Sequence, residues 1–519
     1  MALLIGLDVG TSNIKAAAYR SDGGCVARAS TPTPTTPAGL RQAEQHPGAL
    51  WEAVAETLAT TLAACGDAPD VAGLCVASVG EAGVPLDAHG EPTYPIIAWY
   101  DQRTASLPRW WDEAMGAQPL FALTGLPLGH TFSLLKMQWL RQMAPEAWAA
   151  TQRWLAVGDY VGFRLTGQQA TGYSQASRTM ALDLTTRAWS DTLLSIAELP
   201  PSLLPTLVPE GTLLGHALPE AAAASRIPEG TPVFVGGHDH PVAAIAMGAT
   251  EPGVVLDSTG TTETELMTIP SVRDILARGD GRFSVGCHAA PGSYYVKGGI
   301  LGAGSLLRWV ADLCFADTPP PDRLDALHTA AEASPPGARG LYLLPHLAGA
   351  GSPDRDSMAR GVMAGLTLDH SRNDLARAAF EGLVYELKTL LNALAESAGH
   401  GIDRVIAAGG GSQSPFWTQL KADVTGRPIL VSPHTEAVTL GAAMLAGVGA
   451  GIYRSLQDAQ ATHAQSSEAY TPDPARARDY QRLYQKRIAQ IRALCLPVGA
   501  LSGQLWDRDL SANPDSNVT

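Results

Sequence analysis

The chain has 519 residues, of which 45% are hydrophobic, 17% charged and 6% aromatic. That apolar share excludes a disordered chain. No run of about 18 apolar residues occurs, so no membrane span is expected. The 36 basic and 50 acidic side chains leave a net charge of -14, which argues against a nucleic-acid partner, since such a protein needs a basic surface. At roughly 150 residues per domain the length predicts two to four domains. Asp8 breaks the opening apolar run before a signal-peptide core can form. Cys25, Cys65, Cys75, Cys287, Cys314 and Cys495 form no CxxC unit and read as reduced thiols of a cytoplasmic protein.

In chain order, Leu3 to Ala18 reads as strand, turn, strand, with the turn at Asp8 to Asn13. The Pro/Thr run Thr31 to Pro37 cannot continue a central strand. Trp51, Val54, Leu58 and Leu62 recur at helical spacing after Pro47. Val71 to Ser78 and Tyr94 to Trp99 read as strands, Ser133 to Met143 and Glu146 to Trp154 as helices, and Val233 to Val235 as a strand. Val254 to Met267 repeats the opening pattern: apolar run, Asp257, small polar residues around Gly260, apolar run. Two such hairpins half a chain apart suggest a duplicated architecture, although Gly/Thr hairpins also recur by chance. Downstream, Tyr294 to Val296 is a strand, Gly298 to Gly304 a glycine-rich helix start, and Leu341 to Leu344 a strand. Asn373 to Ala395 is a long helix with Leu375, Ala379, Leu383, Leu387, Leu390 and Leu394 on one face. Arg404 to Ala408 is a strand, followed by a helix from Pro415. Thr439 to Gly447 is a small-residue helix suited to close packing. From about Ala500 the chain is polar and reads as a frayed tail. A boundary is placed between Gly248 and Gly253, giving domains 1–249 and 250–455 and a C-terminal helix and tail over 456–519.

Three Gly/Ser/Thr turns follow strands directly, around Gly10, Gly260 and Gly410. Such turns aim several N–H donors one way and hold phosphate without net positive charge. None fits GxxxxGK[ST], or GxGxxG with a ribose-binding acid. Each alone is more often a plain hairpin, roughly two to one; three in this order, spread over both halves, favour a nucleotide held between domains. Asp8, at a strand end beside Gly10, suits Mg²⁺ directly or through water, or an Asx-type turn. Lys15 would neutralise a phosphate or stand as a solvated charge. Asp239, in Gly236-Gly237-His238-Asp239-His240, is placed to accept a proton from a hydroxyl. The alternatives are helix capping or metal ligation with the flanking histidines, and no third His or Cys cluster supports zinc.

The segment Gly361 to Leu366, a spacer, and Asp374 to Glu381 form one motif. Ser133, Lys136 and Trp139 partly meet a second, whose ends at Thr131 and Met143 depart. Glu44, Gln45 and Pro47 with Trp51, and Trp99, Asp101 and Arg103, form two more. From Leu3 to about Gly451 the sequence resembles the FGGY family of carbohydrate kinases. The resemblance implies an α/β fold of two actin-like (ribonuclease H-like) domains, with ATP and sugar in the cleft between them. It implies Asp239 as catalytic base and Asp8 as the Mg²⁺ residue. It implies Gly10, Thr11, Ser12, Lys15, Gly260, Thr261, Gly304, Gly410 and Gly411 at the nucleotide, with Arg308 where glycerol-phosphorylating members carry a glutamine. Glu81, Trp99, Asp101, Arg103 and His240 are expected at the sugar. Glu81 matches a glutamate of glycerol-phosphorylating members, but Gly80 replaces its arginine and Thr131 its tyrosine, which counts against glycerol. The run Ser258 to Glu263 is similar to that of fucose-type members.

The expected activity is ATP-dependent phosphorylation of a terminal hydroxyl on a ketose or polyol of four to six carbons. The alternatives are an actin-like nucleotide-switched scaffold and a catalytically silent sugar sensor. The expected partners are a small sugar or polyol and a second copy of the chain in a homodimer, with no nucleic acid and no membrane.

Overall fold

The computed structural model describes residues 2–66 and 69–511, with 505–511 as helical backbone. The chain forms two compact units, and the division is not a single cut. The first unit runs to Pro252 and takes in Thr268–Val296 and Glu436–Gln465; the second holds Gly253–Met267, Lys297–Thr435 and the chain from Ser466.

The first unit is built on β1 (Leu3–Val9), β2 (Asn13–Arg20), β3 (Cys25–Pro32), β4 (Val71–Ser78), β5 (Leu213–His216) and β6 (Pro232–His238). Their order is β5-β6-β4-β1-β2-β3. β1 pairs antiparallel with β2 and parallel with β4, and β4 pairs parallel with β6. Central parallel strands are covered on both faces, which is why β1 and β4 read as apolar runs rather than alternations. Helix α1 (Pro47–Ala63) buries Trp51, Val54, Leu58 and Leu62 in the core with Ile5, Leu7, Leu74 and Val233. Each such side chain contributes about 1.5–3 kcal/mol by leaving water. A second apolar cluster, between 107 and 204, includes Trp111, Leu120, Leu140 and Leu194 and residues of α2 (Ser133–Met143). Helix α3 (Asp239–Ala246) follows β6 directly.

In the second unit the strands are β7 (Val254–Thr259), β8 (Glu263–Ile269), β9 (Tyr294–Ile300), β10 (Arg404–Ala408), β11 (Ile429–Val431) and β12 (Glu468–Tyr470). Their order, β9-β8-β7-β10-β11-β12, repeats that of the first sheet, and Ser284–Cys287 adds a seventh strand beside β9. β7 is antiparallel to β8 and parallel to β10, β10 is parallel to β11, and β11 is antiparallel to β12. The suspected duplication of the opening hairpin is therefore a duplication of a whole sheet. Helices α4 (Gly304–Cys314), α5 (Arg372–Ala398) and α6 (Pro415–Thr425) belong to this unit. A capping box from Ser371 and Asp374 starts α5, and Gly399 in the left-handed region ends it.

The chain then enters α7 (Ala437–Gly449) in the first unit. Its small residues permit close approach to α3: a Cβ at Gly441 would lie 2.0 Å from the Val242 carbonyl oxygen.

Some local expectations differ. Of Tyr94 to Trp99 only Ile96–Ile97 is strand. Glu146 to Trp154 divides into a helix, Pro145–Ala150, and a strand, Arg153–Ala156, because Trp154 and Leu155 pair with the strand Gly83–Leu86 and are buried there. The stretch 298–300 continues β9, and its helix begins only at Gly304. Residues 500–511 are not frayed: α8 (Ala489–Ser511) runs through them, and 512–519 lie outside the described residues. All six cysteines are free thiols, and no described helix is long and apolar enough to cross a membrane.

Candidate active site

Register alone collects the functional residues of the first unit. Val9 on β1 and His238 on β6 both stand beside Ser78 at the end of β4. The turn Gly10 to Ser12, the segment Val79 to Glu81, and Asp239 therefore leave the carboxyl ends of three neighbouring parallel strands. Ligands bind at such edges in open α/β sheets.

Asp8 lies within β1, opposite Lys15, not in a turn. Its side chain is half-buried, and its Oδ1 is buried with no hydrogen-bond partner among the described residues. Burial first, then the Asp239 charge, push its carboxyl up to about 8; Lys15 opposes this and Glu436 adds to it. Lys15 Nζ is held 3.0 Å from Glu436 Oε2. The buried, unpartnered Oδ1 is a hard oxygen donor of the kind that Mg²⁺ takes. The Gly10 N–H bonds to the Asn13 carbonyl at 3.1 Å, closing the turn, and Thr11 Oγ1 accepts from the Trp99 indole at 2.9 Å.

Asp239 opens α3. Its Oδ1 accepts from the His240 N–H at 2.6 Å and stands 2.7 Å from His240 Nδ1 and 3.2 Å from His238 Nε2. The two imidazoles stack, 5.4 Å apart and 6° from parallel. The carboxylate is held from both sides while a fifth of its side chain stays exposed. Ser174 Oγ accepts from the His238 N–H at 3.1 Å, and Glu210 accepts from the Ser174 N–H at 2.6 Å. Burial pushes the Glu210 carboxyl up to about 7.

Glu81 sits in the left-handed region at φ 63° and is buried. Lys136 Nζ, on α2, donates to its carbonyl at 2.9 Å and to the Thr131 carbonyl. Burial drives that ammonium down to about 7, against the pull of Glu81 and Asp101. Trp99 is 38% accessible, so part of its apolar ring surface is exposed. Asp101 and Arg103 are corrected. Asp101 is fully buried, and its two oxygens accept from the Ala43 and Arg103 N–H groups and from Arg103 Nε and Nη2. All four acceptor positions are filled, so none remains for a sugar hydroxyl. Arg103 is spent on Asp101 and Glu44 and stacks on Trp139. The pair fixes the loop that carries Trp99.

In the second unit β7 and β10 run parallel, with Ser258 beside Ala408. Their following turns share one end of the sheet. Gly260, Thr261, Gly304, Arg308, Gly410 and Gly411 all line one cavity of about 590 Å³, within the range of small-molecule sites. Ser305, Trp309, His328, Ser414 and Trp417 also line it. The Thr261 carbonyl accepts from the N–H groups of Ala303 and Ser305, and that of Gly260 from Gly304. The hairpin is thus pinned to the start of α4. Behind it, Lys421 Nζ lies 2.6 Å from Asp257, 2.5 Å from Glu263 and 2.7 Å from Thr259. Burial pushes Glu263 up to about 7 and Glu265 well above the usual carboxylate range.

Ser174, Arg178, Glu210 and Glu436 carried no sequence signal, since each acts through a partner far along the chain. His328 and Trp417 look like ordinary core positions on amphipathic helices.

Sequence profiles of the FGGY carbohydrate kinases match twice: the N-terminal domain over residues 3–246 and the C-terminal domain over 258–450. The chain belongs to the FGGY family of carbohydrate kinases. It is a sugar or polyol kinase, a phosphotransferase with an alcohol acceptor. A crystal structure of xylulose kinase from Rhodospirillum rubrum superposes with a TM-score of 0.87 at 30% identity, covering 95% of this chain and 99% of that one. A gluconokinase of Bacillus licheniformis is 28% identical over 95% of this chain and 96% of its own length. A glycerol kinase of Citrifermentans bemidjiense is 30% identical over 87% of this chain and 91% of its own length. The two-domain, actin-like α/β expectation holds for this FGGY chain.

Proposed function

We propose that this FGGY kinase transfers the γ-phosphoryl group of ATP to a terminal hydroxyl of a four- to six-carbon substrate, with Asp239 as base. The observation that carries the reading is that Asp8 on β1 and Asp239 after β6 flank β4 closely enough for the Asp239 charge to raise the Asp8 carboxyl, with Asp8 Oδ1 buried and unpartnered among the described residues. A scaffold that only switches on nucleotide needs no second carboxylate there.

Asp239 orients the acceptor hydroxyl and takes its proton as the O–P bond forms; His238 and His240 hold the carboxylate in place. Asp8, with Asp239 beside it, would hold Mg²⁺, which supplies charge neutralisation for the phosphates. The N–H groups of the Gly10 and Gly260 turns and of Gly410–Gly411 offer the phosphates preorganised donors. The cavity in the second unit accommodates the nucleoside, with Trp417 and His328 as ring surfaces.

An ADP-release screen over ketoses, sugar acids and polyols of four to six carbons tests this reading. ADP release that depends on one of these substrates is expected. ATP turnover indifferent to every one of them contradicts it.

A further inference from the structure

Gly80 precedes Glu81, and it has no room for a side chain. A Cβ there would stand 2.9 Å from His238 Cδ2 and 3.1 and 3.2 Å from Arg178 Cγ and Cβ. Arg178 comes from the turn that follows the helix Tyr173–Ala176, about a hundred residues downstream. Its stem passes the bare α-carbon of Gly80 and brings the guanidinium to Glu81. Nε lies 2.8 Å from Glu81 Oε1, and Nη2 bonds to the same oxygen. The Phe132 ring stands 5.6 Å from Cζ.

Pairing side-on through Nε and Nη2 leaves the other edge of the guanidinium over. Nη1 is buried and makes no hydrogen bond of normal geometry among the described residues; the Tyr295 hydroxyl, equally without one, is the guanidinium's polar neighbour. A buried donor without an acceptor is rare in native proteins and asks for an explanation. Glu81 adds a second anomaly. It holds a left-handed backbone conformation without being glycine or asparagine, fastened by Lys136 on its carbonyl and Arg178 on its carboxylate. Such over-determined strain collects at ligand sites. The same Gly80 that borders Arg178 borders His238, and His238 stands 3.2 Å from the Asp239 carboxylate.

We propose that Arg178 reads an acceptor-only oxygen of the substrate through Nη1, the carbonyl of a ketose or the carboxylate of a sugar acid, in preference to a polyol hydroxyl. A guanidinium only donates. Carbonyl and carboxylate oxygens accept without a proton of their own to redirect, whereas a hydroxyl must turn its hydrogen elsewhere in a crowded pocket. The proposal deepens the kinase reading above and rests on it.

The test compares kcat/KM for C5 and C6 2-ketoses, the matching aldonates and the matching alditols, in the wild type, Arg178→Lys and Arg178→Met. The wild type is expected to favour either a ketose or an aldonate over its alditol by about tenfold or more, and the two arms identify which oxygen is read. Arg178→Lys keeps a cation on Glu81 and should keep the wild-type thermal midpoint. It should nevertheless bring the preference to within about threefold by raising KM for the favoured substrate, with kcat and the alditol little changed. Arg178→Met should lose the preference too. A wild type that works best on an alditol overturns the assignment of Arg178, and so do variants that keep the wild-type preference. Failure to phosphorylate any of the three classes, with ADP still bound, overturns the kinase reading itself and this one with it.

Discussion

Glu210 shows how a residue remote from the proposed base can be tied to it. It touches no predicted site residue, yet its carboxyl supports Ser174, which in turn accepts from the His238 N–H one residue before the base. Burial raises its pKa from 4.5 to about 7, so the folded protein keeps it protonated where the unfolded chain has released the proton. A raised carboxyl costs stability as pH rises from about 4.5 towards 7, by at most about 1.4 kcal/mol per pH unit, and levels off above 7. Glu210→Gln removes that titration. The difference in unfolding free energy between variant and wild type should therefore grow with pH from 5 to 7 and then stay constant. Parallel urea titrations of the two proteins across that range would show it; a difference independent of pH would contradict it. Asp101 teaches the reverse lesson. Its motif was plain in the sequence, but a buried carboxylate with every acceptor position filled positions a loop and meets no sugar.

At the scale of elements, the turns after β7 and β10 carry the nucleotide claim. A Cβ at Gly410 would meet nothing within 4 Å, so Gly410→Val disturbs no packing while intruding on the cavity that Gly410 lines. The thermal midpoint should stay within about 2 °C of wild type. ADP affinity, measured by calorimetry, should fall by about tenfold or more. Unchanged affinity would move the nucleotide elsewhere. The elements themselves were legible where periodicity and caps agreed, as in α1, β4, β10 and α5. They were misread where a short segment takes its conformation from a distant partner. Arg153–Ala156 is a strand because it pairs with Gly83–Leu86, and no local pattern announces that. The long helix α5 shows a further limit. Its leucine stripe suggests one buried face, yet Phe380, Glu381, Tyr385 and Glu386 are buried as well. A helix surrounded by protein has no polar side for amphipathicity to reveal.

For the whole molecule, two Gly/Thr hairpins were the visible trace of a duplicated six-strand order. Once that order is known, the sites follow, because each sheet gathers its functional turns at the carboxyl ends of parallel strands. The glycine turns after the strands were therefore readable from sequence. Ser174, Arg178 and Glu210 were not, since their roles depend on which segments the fold brings beside β4 and β6. The proposed division of labour, with Asp239 as base in the first unit and the nucleoside in the cavity of the second, predicts that the two functions separate. Asp239→Asn should lower substrate-dependent ADP release by ~10²–10⁴-fold while ADP still binds with wild-type affinity. A variant that keeps more than about a tenth of the wild-type rate would remove Asp239 as the base and contradict the account.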